Sequence, residues 1–396
     1  MIMFCLIICT LLLLQGIFGA DVSKGYMWNH ISLEDIDKGA YDPSHILPTA
    51  FAHDANDHTM YLAIPRKVSD IPYTLAEFDT TKNPGVEGNQ EPLVHRFSGH
   101  KTGKELTSIY QPVIDECRRM WIVDVGVVEY TEDPKVHPIR NPSIVAYDLK
   151  TPGRPEVVRY DFPDISAEKP SFFGGFTVDV VNPSGDCSNT FVYITNFDTN
   201  ALIIYDQKNN QFWKVSDPSF APDVKSTFKH AGKEYKYEFG LFAITLGDRD
   251  NEGNRPAYYL AGSSHKVYSV NTNQLKQKGA TLSPVLLGER GEHSDAIALV
   301  YDSNTKVIFF AESNTGKITC WNSQKKPLKP ENTHAIFNNE DFIFMTDISV
   351  DSKGTLWFMA NGMPPIDNSH NFQYEKPRFR VMQVDTKTAI AGTNCE

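Results

Sequence analysis

Cationic side chains are the scarcer charge in this sequence: 38 Lys and Arg stand against 49 Asp and Glu, a formal net charge of −11. A chain so acidic is a poor partner for nucleic acid or for an anionic membrane surface. Charged residues of both signs stop at 22%, while hydrophobic residues reach 41% and aromatics 12%, so neither disorder nor coiled coil describes the chain. Several signatures of chemistry are missing as well. There is no G-x-S-x-G, H-E-x-x-H, P-loop or G-x-G-x-x-G, which removes support for nucleophile-elbow hydrolases, zincins and nucleotide enzymes. No C-x-x-C pair exists for a zinc knuckle or a thioredoxin-like site, and no N-x-[ST] sequon for N-glycosylation.

The first twenty residues carry no charged side chain and hold the apolar run Phe4 to Leu14 before Asp21. This predicts a secretory signal peptide over 1–20, cut after Gly19 or Ala20, ahead of one domain over 21–396. A membrane anchor is the weaker alternative, because the run is short and no basic stop follows it; no later stretch is apolar enough to span a bilayer. Setting aside Cys5 and Cys9 leaves Cys117, Cys187, Cys320 and Cys395. An even count in an exported chain predicts two disulfides, with three connectivities open.

One pattern recurs along the chain. A short apolar strand ends near Asp, a turn of Asp, Asn, Ser, Gly or Lys follows, and the next strand has an aromatic near its start and small or polar residues at its end. The clearest copy runs from Thr346 through Asp351, turns at Ser352-Lys353-Gly354, and continues from Leu356-Trp357 to Asn361-Gly362. The aromatic anchors are Tyr61, Trp121, Tyr193, Tyr259, Phe309 and Trp357. A third strand follows each copy and a fourth follows several, with almost no helical periodicity, as in a propeller blade. The expected fold is all-β: a single six-bladed β-propeller of four-stranded antiparallel blades, its ring closed by an N-terminal strand within Tyr26 to Ser32. A pair of β-sandwiches is the alternative. On the propeller, Cys117 and Cys187 occupy equivalent turns of consecutive blades, which favours Cys117–Cys187 and Cys320–Cys395 over free buried thiols.

In such a blade the start of the first strand and the end of the second meet at one mouth of the central channel. Thr346 and Asn361 become neighbours there, joined from other blades by Ser313, Glu312, Asn196 and Asp124. A hydroxyl beside an amide carbonyl suits an ammonium group and is no strong nucleophile unaided. Tyr110, Phe176 and Phe242 enter inner strands and are candidate aromatic walls. His53, His58 and His293 fall in or near turns, and Gly247 to Gly253 only faintly follows a calcium loop.

The runs Tyr110-Gln111-Pro112-Val113-Ile114-Asp115-Glu116-Cys117-Arg118-Arg119-Met120-Trp121, Gly174-Gly175-Phe176-Thr177-Val178-Asp179, Leu246-Gly247-Asp248-Arg249-Asp250 and Met359-Ala360-Asn361-Gly362 resemble the yellow and major royal jelly protein family. The likeness is greatest to the yellow-related salivary proteins of sand flies. The resemblance implies a secreted, monomeric, non-enzymatic propeller that needs no cofactor and binds small cationic biogenic amines such as serotonin, catecholamines and histamine. It assigns the ammonium to Thr346, Asn361 and a main-chain carbonyl just beyond, at Met363. The alternative is an enzyme, either a metal-dependent lactonase-like hydrolase with Glu312, Asn196, Asn361 and Asp124 as ligands, or a dopachrome-converting relative.

Overall fold

A computed structural model describes residues 22, 24–82, 91–129, 136–163, 173–230, 233–342, 344–362 and 378–396. The expected signal peptide and Met363 lie outside the described residues. Six four-stranded antiparallel sheets are arranged around a ring. From the inner strand outward, blade 1 is Ala50–Asp54, Thr59–Ala63, Leu75–Asp79 and His95–Arg96. Blade 2 is Ile109–Ile114, Arg119–Asp124, Ser143–Asp148 and Glu156–Asp161, and blade 3 is Phe173–Val180, Thr190–Asn196, Ala201–Asp206 and Gln211–Ser216. Blade 4 is Leu241–Leu246, Pro256–Ala261, Lys266–Asn271 and Val285–Glu289, and blade 5 is Ala296–Asp302, Val307–Glu312, Lys317–Asn322 and His334–Asn338. Blade 6 takes Met345–Val350, Thr355–Ala360 and Phe379–Asp385 from the end of the chain and Lys24–Trp28 from its beginning.

The repeat seen in the sequence has a physical origin. In the turn between first and second strands, the carboxylate of Asp54, Asp115, Asp302 or Asp351 accepts the backbone N–H two residues on, at Asn56, Cys117, Asn304 and Lys353. In three blades the second-strand aromatic then bonds back to an Asp near the end of the first strand. Trp121 Nε1 donates to Asp115 at 2.7 Å, Trp357 Nε1 to Asp351 at 3.0 Å, and the Tyr193 hydroxyl to Asp179 at 3.0 Å. Second strands such as Arg119–Asp124 and Thr190–Asn196 are buried along their whole length, since neighbouring blades cover both faces. They therefore read as continuous apolar runs rather than as alternating ones.

Ring closure occurs where the sequence places it, with a shift. The closing strand is Lys24–Trp28, paired antiparallel from Lys24 opposite Gln383 to Trp28 opposite Phe379. The chain leaves the sheet at Asn29, whose N–H is taken by Glu91. Tyr26 meets Phe78 of blade 1 edge-on at 5.0 Å, and Trp28 Nε1 donates to Pro92 O. Two hairpins were not anticipated, Val127–Glu129 with Val136–Pro138 and Ser226–His230 with Lys233–Tyr237. Among the described residues no helix is long and apolar enough to cross a membrane.

Both disulfides form as expected. Cys117–Cys187 joins the turns of blades 2 and 3, and Cys320–Cys395 ties blade 5 to the end of the chain. Replacing Cys117 and Cys187 together by Ser opens a closed loop spanning 70 residues. The expected loss is about 4 kcal/mol in urea denaturation, with a larger m-value because the freed denatured chain exposes more surface.

Candidate functional site

The inner strands follow one another around the ring and start at one mouth of the channel. Five of the six break register close to that mouth. The irregularities fall between Ile109 and Pro112, Phe173 and Phe176, Leu241 and Ala243, Ala296 and Ala298, and Met345 and Asp347. Only the inner strand of blade 1 pairs evenly throughout. A bulge adds an unpaired residue and re-aims its side chain. The residues so displaced are Tyr110 and Gln111, Gly174 and Gly175, Phe242, Ile297 and Thr346. Three expected site residues, Tyr110, Phe242 and Thr346, thus occupy equivalent bulges, and Phe176 ends a fourth. Gln111 and Ile297 escaped the sequence reading, which followed strand periodicity and had no signal for a bulge.

Thr346 is the exceptional residue of the group: its hydroxyl oxygen is buried and has no hydrogen-bond partner among the described residues. Asn361, 3% exposed, lies one register step away, with its backbone N–H on Phe344 O and its amide donating to Pro48 O at 3.2 Å. Phe344 holds φ at +57°, a conformation strained for a bulky side chain and one that clusters at functional sites.

Above these residues lies an aromatic cluster. Phe197 stacks on Phe242 at 4.8 Å with planes 15° apart, Phe239 packs on both, and Tyr237 packs on Phe239 at 4.7 Å. Phe228 reaches Phe344 edge-on at 5.5 Å. Tyr237 and Phe228 belong to the unanticipated hairpin, which leaves the connection between blades 3 and 4 and reaches blade 6. Blade 5 anchors it: the Ser226 hydroxyl donates to Asp295 at 2.7 Å and the Tyr237 hydroxyl to Asn314 Oδ1 at 2.6 Å. Asn314 in turn donates to Asp295 and to Thr227 O. Ser313 belongs to this anchor, fully buried, with its N–H and hydroxyl on Asp295 O.

Lower in the channel a polar chain links the blades. Asp347, 2% exposed, accepts from its neighbour Ile348 N, from Phe51 N of blade 1 at 3.0 Å and from the Gln111 amide of blade 2 at 3.3 Å. Gln111 accepts in turn from Phe176 N of blade 3 at 3.1 Å. Burial pushes the Asp347 carboxyl up to about 7, against the pull of those three donors.

The other acidic candidates serve their own blades. Asp124 accepts from Thr107, Ser108 and Gly126 N–H groups, and burial raises its pKa. Glu312 accepts from the hydroxyls of Thr315 and Thr319, and Asn196 from the N–H groups of Asp198 and Thr199. Among the described residues no three His, Cys, Asp or Glu side chains come together to hold a metal ion. In the 247–253 loop, Asp248 pairs with Lys306 at 2.6 Å and Asp250 caps Glu252 and Asn254 N–H groups, so it works as a staple between blades. His53 pairs with Asp351 at 2.9 Å, toward the far end of its strand.

A ring of six blades carrying bulged inner strands under an aromatic cap defines a six-bladed propeller with its candidate site at one mouth of the channel. Residues 107–395 match the Major royal jelly protein family. Yellow-related salivary protein LJM11 of Lutzomyia longipalpis is 58% identical, over 98% of each chain. Yellow-related salivary protein LJM111 of the same species is 54% identical over 97% of this chain and 96% of its own, and SP03B of Phlebotomus perniciosus 50% identical over 100% and 98%. The chain belongs to the major royal jelly protein family, among its yellow-related salivary members, and is a secreted protein, a setting its two disulfides suit.

The hairpin anchor yields a direct test. Replacing Asp295 by Ala strips the acceptor from Ser226 and Asn314, at an expected cost of about 1–3 kcal/mol. Lys225, Lys229 and Lys236 are well exposed, so loosening shows as new tryptic cuts within 225–236 in limited proteolysis. An unchanged digestion pattern would mean that the aromatic contacts and the Asn314 bonds to Tyr237 and Thr227 hold the hairpin without Asp295.

Proposed function

We propose that the protein is a non-enzymatic scavenger of small biogenic amines, held stoichiometrically at the mouth of the channel. One observation carries the proposal: the Thr346 hydroxyl is buried, displaced by a bulge, and without a partner among the described residues. A buried polar group in that state is costly, and a ligand donor removes the cost. A primary ammonium offers three donors, which Thr346, Asn361 and a main-chain carbonyl near Met363 can share. The rings around Phe242 would add cation–π attraction of about 0.5–2 kcal/mol.

The magnitudes support a useful affinity. A ligand of roughly a dozen heavy atoms at about −0.7 kcal/mol per atom reaches about −8 kcal/mol, near micromolar. The net charge of −11 favours encounter with cations, in a manner reduced by salt. The family relatives' salivary names fit removal of host amines at a bite. No observation favours the hydrolase reading, whose oxygen ligands are largely committed to turns.

Thr346→Val keeps the shape of the side chain and removes the hydroxyl. With a hydrogen bond to a charged group contributing about 1.5–3 kcal/mol, serotonin affinity in titration calorimetry should fall about tenfold to a hundredfold. Asn361→Ala should lose a similar factor. Wild-type affinity in both variants, with unchanged circular dichroism, would remove this site from consideration.

A further inference from the structure

We propose that Asp347 is the counter-charge for the cation held at Thr346 and Asn361, so that binding an amine expels a proton from this carboxyl group. The inference rests on the amine-binding proposal and deepens it.

Asp347 follows Thr346 directly on the inner strand of blade 6 and lies on the channel side where blades 1 and 2 converge on it. Its three donors are two backbone N–H groups and one neutral amide. Among the described residues no Lys, Arg or His forms an ion pair with it, whereas the carboxylates at the far ends of these inner strands are matched. On blade 1, His53 pairs with Asp351 and Asp54 with Arg118. On blade 2, Tyr110 is the titratable group of the nearby strand segment, with the Lys67 ammonium 5.7 Å from its ring centre. Among the described residues no charged neighbour thus compensates Asp347, and burial holds its proton on until near neutral pH.

A buried carboxylate with hydrogen bonds but no cation is stable in two forms. In the first the carboxyl is protonated and neutral. In the second a cation arrives close by and the proton leaves. The O–H bond of the acid breaks, the proton passes to solvent, and the ligand's ammonium keeps its own three protons. Gln111 then has a defined part as a positioning residue: its amide donates to the carboxylate, and its carbonyl, accepting from Phe176 N, keeps it from turning over.

The sign follows directly. Ionised Asp347 favours the cation, so affinity rises with pH through the carboxyl's titration and falls on acidification. For a group titrating near 7, serotonin should bind about tenfold more weakly at pH 6 than at pH 8. The alkyl ammonium of serotonin stays charged throughout that range.

Calorimetry of the intact protein with serotonin at pH 6.5, in phosphate and in Tris, reads the proton directly. The two apparent enthalpies should differ, because the released proton is taken up by buffers of different ionisation enthalpy. In Asp347→Asn the enthalpies should agree and the affinity should be flat from pH 6 to 8. Gln111→Met, which removes a donor to the carboxylate, should move the midpoint of the pH profile upward. Serotonin binding in wild type with equal enthalpies and a flat profile would overturn the counter-charge role and leave the amine site standing. A wild-type profile retained in Asp347→Asn would do the same, and the absence of serotonin binding at every pH would overturn both proposals. If Asp347→Asn fails to fold, the wild-type buffer pair still decides.

Discussion

The antiparallel pairing of Lys24–Trp28 with Phe379–Asp385 is the constraint on which the rest depends. Without it blade 6 would have three strands and an open edge, and the ring would have a seam held by side chains alone. Tyr26 and Trp28 are almost fully buried by closure, and each contributes about 1.5–3 kcal/mol on that basis alone. The seam matters beyond stability. Asn361 bonds to Pro48, and Asp347 to Phe51, so the candidate site is itself built across the junction of blades 6 and 1. The Cys320–Cys395 bridge fixes the other end of the chain on blade 5, the opposite neighbour of blade 6. The two described ends of the chain are thereby tied to blade 6 and to its neighbour, blade 5.

A ring closed in this way can tolerate local departures from regular pairing. Five inner strands depart at the same mouth, and each departure turns one or two side chains off the sheet. Hydrogen bonds between blades make up part of what the bulges forgo. Thr195 of blade 3 donates to Phe242 O of blade 4 at 2.7 Å, and Thr49, just before blade 1, donates to Tyr110 O of blade 2 at 2.7 Å. At Thr346 the hydroxyl has no such partner among the described residues. The site is a place where a rigid frame leaves one polar atom unpaired beneath an aromatic cap.

Much of this was legible in the sequence for a physical reason. In two blades the Asp of the first turn and the Trp six residues further on, Asp115 with Trp121 and Asp351 with Trp357, bond to each other, so the spacing recurs there for a physical reason. Strand order then brought Thr346 and Asn361 together, and likewise placed Cys117 beside Cys187. The hairpin over the mouth was not legible. Its sequence, Ser226 to Tyr237, mixes polar and aromatic residues with three lysines and a histidine, and Asp295 and Asn314, far along the chain, give it a place to dock. Ser313 was assigned to the mouth by strand arithmetic, and the structure shows that same position used to secure the hairpin. The state of Asp347 was hidden too, because a sequence shows a carboxylate and not the absence of a cation around it.

The central claim is that the unpartnered Thr346 hydroxyl marks the position of a ligand ammonium. A crystal structure of the protein with serotonin tests it most directly. The account predicts the ammonium nitrogen within about 3 Å of Thr346 Oγ1 and of an acceptor on Asn361, with the indole packed among the rings around Phe242. An amine seated elsewhere, with the Thr346 hydroxyl still unpaired or bonded to water alone, would contradict it.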